Sequence, residues 1–328
     1  MRILVSGLCG RMGREVARLA ARGFCGAVLA GGVDAHGTGR PGARGEQKEE
    51  SAGEIGNDGA EGRAGCQAGC QAGCQAECRA EGWTEGRMER RTERPLDRPV
   101  MHDGTGKEAF LKLTGIAQAV PCFPTFSSVQ GTVDCVVDFS HHENTAPLLE
   151  YAITRRLPLV LATTGQTPEE QRAIGQAATR IPIFYSANCS LGVALLIRMA
   201  RQVAAVMPEA EIEVVEAHHD RKLDAPSGTA LAIADAIREV RPRADVISGR
   251  CGYGRRSPEE IGVHSIRLGS TVGEHTVLIG TQNETLVLRH EAKNRSLYAE
   301  GALEAAAFLC GLPAGRCGVY GMEDLIRG

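Results

Sequence analysis

The chain has 328 residues, with 37 Lys or Arg against 40 Asp or Glu and a formal net charge of -3. This balance argues against a nucleic-acid binder or a protein of anionic membrane surfaces, which would carry a large basic excess. Twelve Cys are too few for a disulfide scaffold, and no stretch reaches the roughly 18 consecutive apolar residues of a spanning helix. We therefore expect a cytoplasmic protein of about two domains with mostly reduced thiols.

Short apolar strands alternate with helices in the first part of the chain. The predicted elements are a strand at 2–6, a helix at 11–22, strands at 27–33 and 132–139, a helix at 143–155, a strand at 157–162, a helix at 168–179 and a strand at 181–186. This alternation predicts an α/β fold, with a Rossmann-type, doubly wound parallel sheet covered by helices on both faces.

A segment without a core interrupts this pattern. From His36 to Arg94 the only large apolar residues are Ile55, Trp83 and Met88, and 65–78 repeats cysteine at a spacing of four. Such a segment cannot bury enough apolar surface to offset the entropy of ordering it. We interpret about 36–107 as a disordered or weakly ordered low-complexity insertion. We favour a tandem expansion over a metal or redox site, because structural zinc sites pair Cys-x2-Cys units from separate segments.

The second part of the chain has a different pattern. The sequence predicts a helix from 191, a strand at 211–218, a helix at 225–240, antiparallel strands at 264–268, 274–280 and 284–292, and a helix at 299–310. Strands that follow one another without intervening helices indicate an α+β domain, here with a mixed sheet.

A glycine-rich turn joins the first strand to the first helix. Gly7 permits the sharp turn, Gly10 allows the close approach of a pyrophosphate, and Gly13 lets the helix pack on the sheet. The start of the helix then offers unpaired N–H groups to phosphate. The match to G-x-G-x-x-G is imperfect, since Cys9 takes the second glycine position. A tight turn without a nucleotide therefore stays an alternative.

Asp34 ends the second predicted strand, where a ribose-binding carboxylate belongs in such folds. Its charge disfavours a 2′-phosphate, whereas Arg11 and Arg14 are suited to accept one. The sequence therefore leaves the choice between NADH and NADPH open.

The most informative stretch, 216–230, reads EAHHDRKLDAPSGTA. Ser227 suits a helix N-cap, so Gly228 and Thr229 would present free backbone N–H groups to an anion. Lys222 and the adjacent histidines His218 and His219 add positive charge and proton donors. Together they indicate a pocket for a carboxylate-bearing substrate that is protonated during the reaction.

Two other interpretations fit this stretch less well. A solvated polar loop accounts for any one of these residues but not for their combination. A metal site is disfavoured, because adjacent histidines point to opposite sides of an extended chain and no acidic cluster lies nearby. We predict no metal.

Six motifs occur in order along the chain: Gly7-Leu8-Cys9-Gly10-Arg11-Met12-Gly13, Val137-Asp138-Phe139-Ser140, Ala162-Thr163-Thr164-Gly165, Ser186-Ala187-Asn188-Cys189-Ser190-Leu191-Gly192-Val193, the 216–230 loop and Val272-Gly273-Glu274-His275. With them the sequence resembles the dihydrodipicolinate (4-hydroxy-tetrahydrodipicolinate) reductases of bacterial lysine and diaminopimelate synthesis. The resemblance implies that NADH or NADPH reduces the ring of a small dicarboxylate, with loss of water, to tetrahydrodipicolinate.

The resemblance also implies roles and an organisation for the chain. His218 and Lys222 would be the acid/base pair, and His219, Gly228 and Thr229 would hold the substrate carboxylates. A discontinuous dinucleotide-binding domain would span 1–189 and 296–328, and 190–295 would bind substrate and form a homotetramer. The residues that would line the cofactor are Gly7, Leu8, Cys9, Gly10, Arg11, Met12, Asp34, Ala162, Thr163, Thr164, Ser186, Ala187, Asn188 and Cys189.

Four positions depart from the family pattern. Cys9 is atypical, and Ala162, Cys189 and Ala194 stand where glycine, phenylalanine and asparagine are usual. Most of these lie on the cofactor side, so cofactor affinity or preference is expected to differ while the acid/base loop is intact. Three alternatives stay open: a Rossmann reductase of another small amino-acid precursor such as aspartate semialdehyde, a nucleotide-sensing or redox module based on the cysteine repeat, and a reductase homologue whose catalysis has decayed.

Overall fold

The computed structural model describes residues 1–34, 109–111, 113, 116 and 119–327, which fall within one compact unit of the chain. The predicted insertion at about 36–107, with its repeated cysteines, lies outside the described residues. Among the helices that the structure describes, none has the length and apolar character needed to cross a membrane.

The described strands are, in chain order, β1 (Arg2–Ser6), β2 (Val28–Val33), β3 (Ala109–Leu111), β4 (Val120–Phe123), β5 (Cys135–Asp138), β6 (Leu159–Leu161), β7 (Pro182–Tyr185), β8 (Glu211–His218), β9 (Asp245–Ser248), β10 (Glu260–Arg267), β11 (Glu274–Gly280), β12 (Thr285–Glu291) and β13 (Gly318–Tyr320). The described helices are α1 (Arg11–Ala21), α2 (Thr145–Arg155), α3 (Pro168–Ala177), α4 (Leu191–Val206), α5 (Gly228–Val240), α6 (Ser296–Gly311) and α7 (Met322–Arg327).

The first sheet confirms the predicted doubly wound fold. Its described strands follow the order β13-β7-β6-β5-β1-β2-β4-β3, and all the pairs are parallel except β3 with β4. The chain runs outward from β1 in one direction through β2 and β4, and in the other through β5, β6 and β7. In such sheets the crevice for a ligand opens where the direction changes, beyond the carboxyl ends of the strands. Here that position lies at the ends of β1 and β5.

The side chains of β1 show why this sheet is covered on both faces. Ile3 and Val5 point into a cluster with residues of α1 and α6, whereas Leu4 points into another with residues of α2 and α3. All three are 0% exposed. Alternate residues of a strand face opposite sides, so an unbroken apolar run is what a strand between two helical layers requires.

The second sheet is mixed, as predicted, with its described strands in the order β12-β11-β8-β10-β9. The prediction that 264–268 is antiparallel is wrong, because β10 runs parallel to both β8 and β9. Strands β8 and β9 lie on either side of β10 and run in the same direction, and α5 is the crossover connection between them. Only β11 pairs antiparallel with its neighbours β8 and β12.

Helix α5 begins at Gly228 and not at 225, where the sequence pattern predicts its start. The hydroxyl of Ser227 accepts a hydrogen bond from the backbone N–H of Ala230 at 3.2 Å and caps the helix there. The predicted N-cap is therefore confirmed, and it fixes the position of the first helical N–H groups. Strands β3, β4, β9 and β13 and helix α7 are not predicted by the sequence pattern.

Candidate active site

A cleft of about 830 Å³ lies at the carboxyl ends of the parallel strands. Four of the predicted cofactor residues line it: Gly7, Cys9, Gly10 and Asp34. The cleft also has a wall that the site prediction did not include, formed by residues after β4, after β5 and along α2. These residues are Pro124, Thr125, Phe126, Ser127, Val129, Phe139, Ser140, His141, Asn144, Pro147, Glu150, Tyr151, Thr154 and Arg155.

The glycine turn leaves no room for side chains at two positions. Gly7 has φ +79, and a Cβ there would lie 2.6 Å from the carbonyl oxygen of Phe139. A Cβ at Gly13 would lie 2.1 Å from the carbonyl oxygen of Gly7. Both obstacles are backbone atoms, so the turn and the close approach of α1 require glycine.

Asp34 is tied to this turn. Its Oδ2 accepts a hydrogen bond from the backbone N–H of Cys9 at 2.8 Å, which holds a carboxylate at the edge of the cleft. Leu8 contributes no side chain to the cleft, since it is 0% exposed and packs on the backbone at Gly32. Arg11 and Met12 form the start of α1, where helical N–H groups have no intrahelical partners.

A buried carboxyl group links the ends of three strands. Asp138 is 1% exposed and accepts hydrogen bonds from the hydroxyls of Thr163 at 2.5 Å and Ser140 at 2.6 Å. Burial raises the pKa of Asp138, and the hydrogen bonds from Ser140, Thr163 and Ser6 oppose that rise. Predicted cofactor residues Ala162 to Thr164 follow β6 here. The hydroxyl of Thr163 is used in this internal network.

The loop at 186–189 connects the predicted cofactor and substrate residues. Ser186 Oγ donates to the carbonyl of Asn188 at 2.8 Å, and Asn188 Nδ2 donates to Thr229 Oγ1 at 3.2 Å. Behind the loop, a Cβ at Gly301 of α6 would lie 1.7 Å from the carbonyl oxygen of Cys189. The loop therefore lies directly between α6 and the start of α5.

The acid/base residues predicted in the 216–230 loop lie in a partly enclosed site. The side chain of His218 is 12% exposed, and its Nδ1 lies 2.5 Å from Glu216 Oε2. Its Nε2 faces the backbone of Gly273, 3.1 Å from where a Cβ would be. Lys222 is 22% exposed, with its Nζ 2.7 Å from Asp224 Oδ1. That hydrogen bond lowers the pKa of Asp224, so this carboxylate stays charged beside the lysine.

His219, a predicted substrate ligand, lies among cations. Its Nε2 is 3.4 Å from Arg295 Nη2, and no hydrogen-bond partner of its buried Nδ1 is found in the part of the chain that the structure describes. Desolvation, with the charges of Arg221 and Arg295, lowers the pKa of His219. A neutral ring beside a guanidinium group suits an anionic substrate group.

His275 completes the floor of the site, although no role was predicted for it. It is 4% exposed, its Nε2 lies 3.2 Å from Ser227 Oγ, and its ring stands edge-on to that of His218 at 5.2 Å between centroids. Burial, reinforced by the charge of His218, lowers the pKa of His275 to about 4.

The low pKa of His275 predicts a pH-dependent stability. An unfolded histidine takes up a proton near pH 6.5, so between there and about pH 4 only the unfolded state binds it. The free energy of unfolding should therefore fall as the pH drops through this window. At about pH 5 the loss relative to neutral pH is about 2 kcal/mol from this group.

Urea unfolding at about pH 7.5 and about pH 5 tests this. His275→Gln removes the titrating group and should lose less stability than the wild type on acidification. His264→Gln, at a more exposed histidine of β10, is the control. Equal losses in the wild type and His275→Gln would contradict the prediction.

The most informative groups missed by sequence reasoning are Glu216, Arg267 and Arg295. Glu216 had a detectable signal, because it stands two residues before His218 and strand residues at that spacing share a face. Arg267 and Arg295 are separated from this loop by tens of residues, and only the fold shows that they reach it.

A doubly wound sheet with a glycine turn at its switch point, joined to a mixed sheet that carries a His–Lys loop, defines a Rossmann-like oxidoreductase. Family models described as dihydrodipicolinate reductase, N-terminus and C-terminus, match residues 96–189 and 192–326. The chain belongs to the dihydrodipicolinate reductase family. The two matched ranges leave out residues 1–95. The assignment of the glycine turn therefore rests on its geometry and not on the family models.

Two relatives agree with this assignment, and one solved structure shares the fold. A 4-hydroxy-tetrahydrodipicolinate reductase from Caldanaerobacter subterraneus subsp. tengcongensis is 44% identical over 209 residues, 63% of this chain and 82% of that protein. One from Clostridium tetani is 39% identical over 210 residues, 62% and 81% of the two chains. A dipicolinate-bound dihydrodipicolinate reductase from Paenisporosarcina sp. TG-14 has the same fold, with a TM-score of 0.62, 20% identity and coverage of 99% of this chain and 98% of that one.

Proposed function

We propose that this chain catalyses the NAD(P)H-dependent reduction of 4-hydroxy-tetrahydrodipicolinate to tetrahydrodipicolinate, with loss of water, in lysine and diaminopimelate biosynthesis. The observation that carries the proposal is the hydrogen bond from Asn188 to Thr229. It joins the loop at the carboxyl edge of the first sheet to the helix start beside the His–Lys loop. A cofactor on the one and a dicarboxylate on the other would therefore meet.

The residues present fit a dinucleotide. At Gly7 and Gly13 the backbone packs so closely that a Cβ would clash, so the start of α1 lies against the end of β1. N–H groups at a helix start bind phosphate. Asp34 would receive the ribose hydroxyls at the far end of the cleft. When bound, the nicotinamide supplies a hydride. The remaining assigned positions, from Leu8 to Cys189, stay predictions for the same ligand.

The substrate would be held by its two carboxylates. The first N–H groups of α5, at Gly228 and Thr229, form an anion site, and His219 beside Arg295 adds a second polar contact. The ring would then lie next to His218 and Lys222. His218 Nε2 and Lys222 Nζ would supply the proton that leaves with the hydroxyl as water, take up the proton lost from the adjacent ring carbon, and return a proton to the ring when the hydride arrives. One proton is then consumed for each NADH or NADPH oxidised.

A steady-state assay tests the function. The purified full chain is supplied with the condensation product of the preceding aldolase-type enzyme, and oxidation of NADH and of NADPH is followed. We expect turnover with at least one of them and none with aspartate semialdehyde. No oxidation of either cofactor would overturn the proposal. Turnover that survives deletion of residues 40–94 would separate the reductase from a module based on the cysteine repeat.

We further propose a cytoplasmic homotetramer, with the domains divided as the sequence predicts. Helices α4 and α5 cover one face of the second sheet. On the other face Ile247, Ile266 and Val287 are 40, 46 and 52% exposed. Exposed apolar side chains on one sheet face support pairing between copies. The pairing of β13 with β7 supports the return of 296–328 to the dinucleotide-binding domain. Sedimentation analysis of the purified chain determines the oligomeric state.

A further inference from the structure

Strand β8 carries an ionised group in its buried row. Ile212 and Val214 are 0% exposed and pack in the core with α4 and α5, and the next residue on the same face, Glu216, is also 0% exposed. Burying a carboxylate is costly unless it is paired and hydrogen-bonded. A glutamate where the pattern calls for an apolar side chain therefore needs an explanation.

The carboxylate of Glu216 is fully bonded. Arg267 Nη1 and Nη2 donate to its two oxygens at 2.9 Å each. The backbone N–H of Ser227 donates to Oε1 at 3.2 Å, and His218 Nδ1 lies 2.5 Å from Oε2. Burial opposes ionisation, but the bonds from Arg267 and His218 outweigh it and hold the pKa of Glu216 at about 2. Glu216 is thus an acceptor only, at every pH at which an enzyme of this kind works.

An obligate acceptor at Nδ1 determines which nitrogen of His218 is available. Nδ1 must carry the hydrogen, so Nε2, which faces Gly273, is the atom that exchanges a proton. The two hydrogen bonds from Arg267 stabilise the ionised carboxylate of Glu216. The hydrogen between Glu216 and His218 therefore stays on Nδ1.

The same carboxylate connects the proton donor to the substrate end of the site. Ser227, whose N–H it binds, caps α5 and precedes Gly228 and Thr229. Arg267 lies opposite His218 in the β8–β10 register, and it also donates to the carbonyl of Asp224. Glu216 and Arg267 therefore hold both ends of the loop that contains Lys222.

We propose that Glu216, paired with Arg267, is a positioning residue that fixes the tautomer and orientation of His218 and aligns it with the start of α5. The catalytic significance of this inference rests on the proposed function, whereas its structural part concerns only the protein. Besides Glu216, His218 faces Arg267 across the β8–β10 register and His275 of β11 at 5.2 Å between ring centroids.

Glu216→Gln tests the proposal, with Glu213→Gln as the matched control. Glu213 lies on the opposite face of β8 and also contacts an arginine and a histidine, Arg256 at 3.0 Å and His264 at 2.9 Å. We expect Glu216→Gln to lower kcat about tenfold to a hundredfold, as loss of a group behind a reacting imidazole does. The KM for NADH or NADPH should be retained.

A readout independent of turnover separates this inference from the proposed function. Nitrogen-15 NMR of the histidine side chains should show His218 with its hydrogen on Nδ1 in the wild type and in Glu213→Gln, and a mixture of tautomers in Glu216→Gln. If Glu216→Gln does not fold, the double variant Glu216→Gln, Arg267→Gln replaces it, since it leaves no unpaired charge. An unchanged His218 spectrum in a folded variant would overturn the proposal. An inactive wild type with the expected spectra would overturn only the proposed function.

Discussion

Replacing Lys222 by alanine is expected to lower kcat by about a hundredfold to ten-thousandfold, the usual contribution of a positioned proton donor. Lys222 supplies the ammonium group of the loop, and its Nζ lies 2.7 Å from Asp224 Oδ1. Its backbone N–H donates to the carbonyl of His219 at 3.1 Å. The substitution leaves that backbone bond in place. It removes the cation and the proton donor without disturbing the glycine turn, so cofactor binding should be retained.

Steady-state kinetics and NADH and NADPH titrations measure the two quantities separately. Arg221→Ala is the matched control, because Arg221 is the neighbouring cation with a side chain 76% exposed. It should leave kcat within about threefold of the wild type, as surface substitutions do. His218→Ala should behave like Lys222→Ala. A kcat for Lys222→Ala equal to that of the control would remove this lysine from the proposed mechanism.

Gly13→Ala is expected to weaken NADH and NADPH binding at least tenfold and to destabilise the fold. The new Cβ would lie 2.1 Å from the carbonyl oxygen of Gly7 and 2.9 Å from Cα of Leu8. No rotamer relieves a clash with backbone, so α1 must move away from the turn. Overpacking of this kind costs about 1–3 kcal/mol or more, and the shift displaces the N–H groups that would hold the phosphates.

Gly175→Ala in α3 is the control, since a Cβ there meets nothing within 4 Å. It should bind cofactor normally and be more stable by up to about 1 kcal/mol, because alanine is the better helix former. Thermal unfolding and isothermal titration compare the two variants. Wild-type affinity in Gly13→Ala would show that the glycine turn does not hold the nucleotide.

The fold was predictable where burial and local chemistry act within one element. The unbroken apolar run of β1 indicates a strand between two helical layers, and Ser227 indicates the start of α5. Strand direction is not encoded in this way, because the alternation in β10 is the same whether its partner is parallel or antiparallel. The short strand β9 is mostly exposed and has no apolar run to reveal it.

In the candidate site, too, residues that are close in the sequence were predictable and residues brought together only by the fold were not. The His–His–Lys residues stand together in the sequence and could be grouped by their chemistry. The salt bridge between Glu216 and Arg267 joins residues 51 positions apart, and it depends on the register of β8 with β10. The same holds for the α2 wall of the cleft. The sequence predicts the apolar face of this helix, but it does not predict that the helix borders the cleft.

The position of α6 has a consequence for how the protein is made. Ala302 and Leu303 of this helix pack in the cluster that contains Ile3 and Val5. Complete burial of the first strand therefore requires a helix that is synthesised much later. Until α6 has been synthesised, α1 alone covers that face of β1, and the apolar side chains that α6 would cover are available to chaperones or to other nascent chains. This face of the first sheet is therefore fully covered only late in synthesis. A chain truncated before residue 296 should emerge with an aggregation-prone half-sheet.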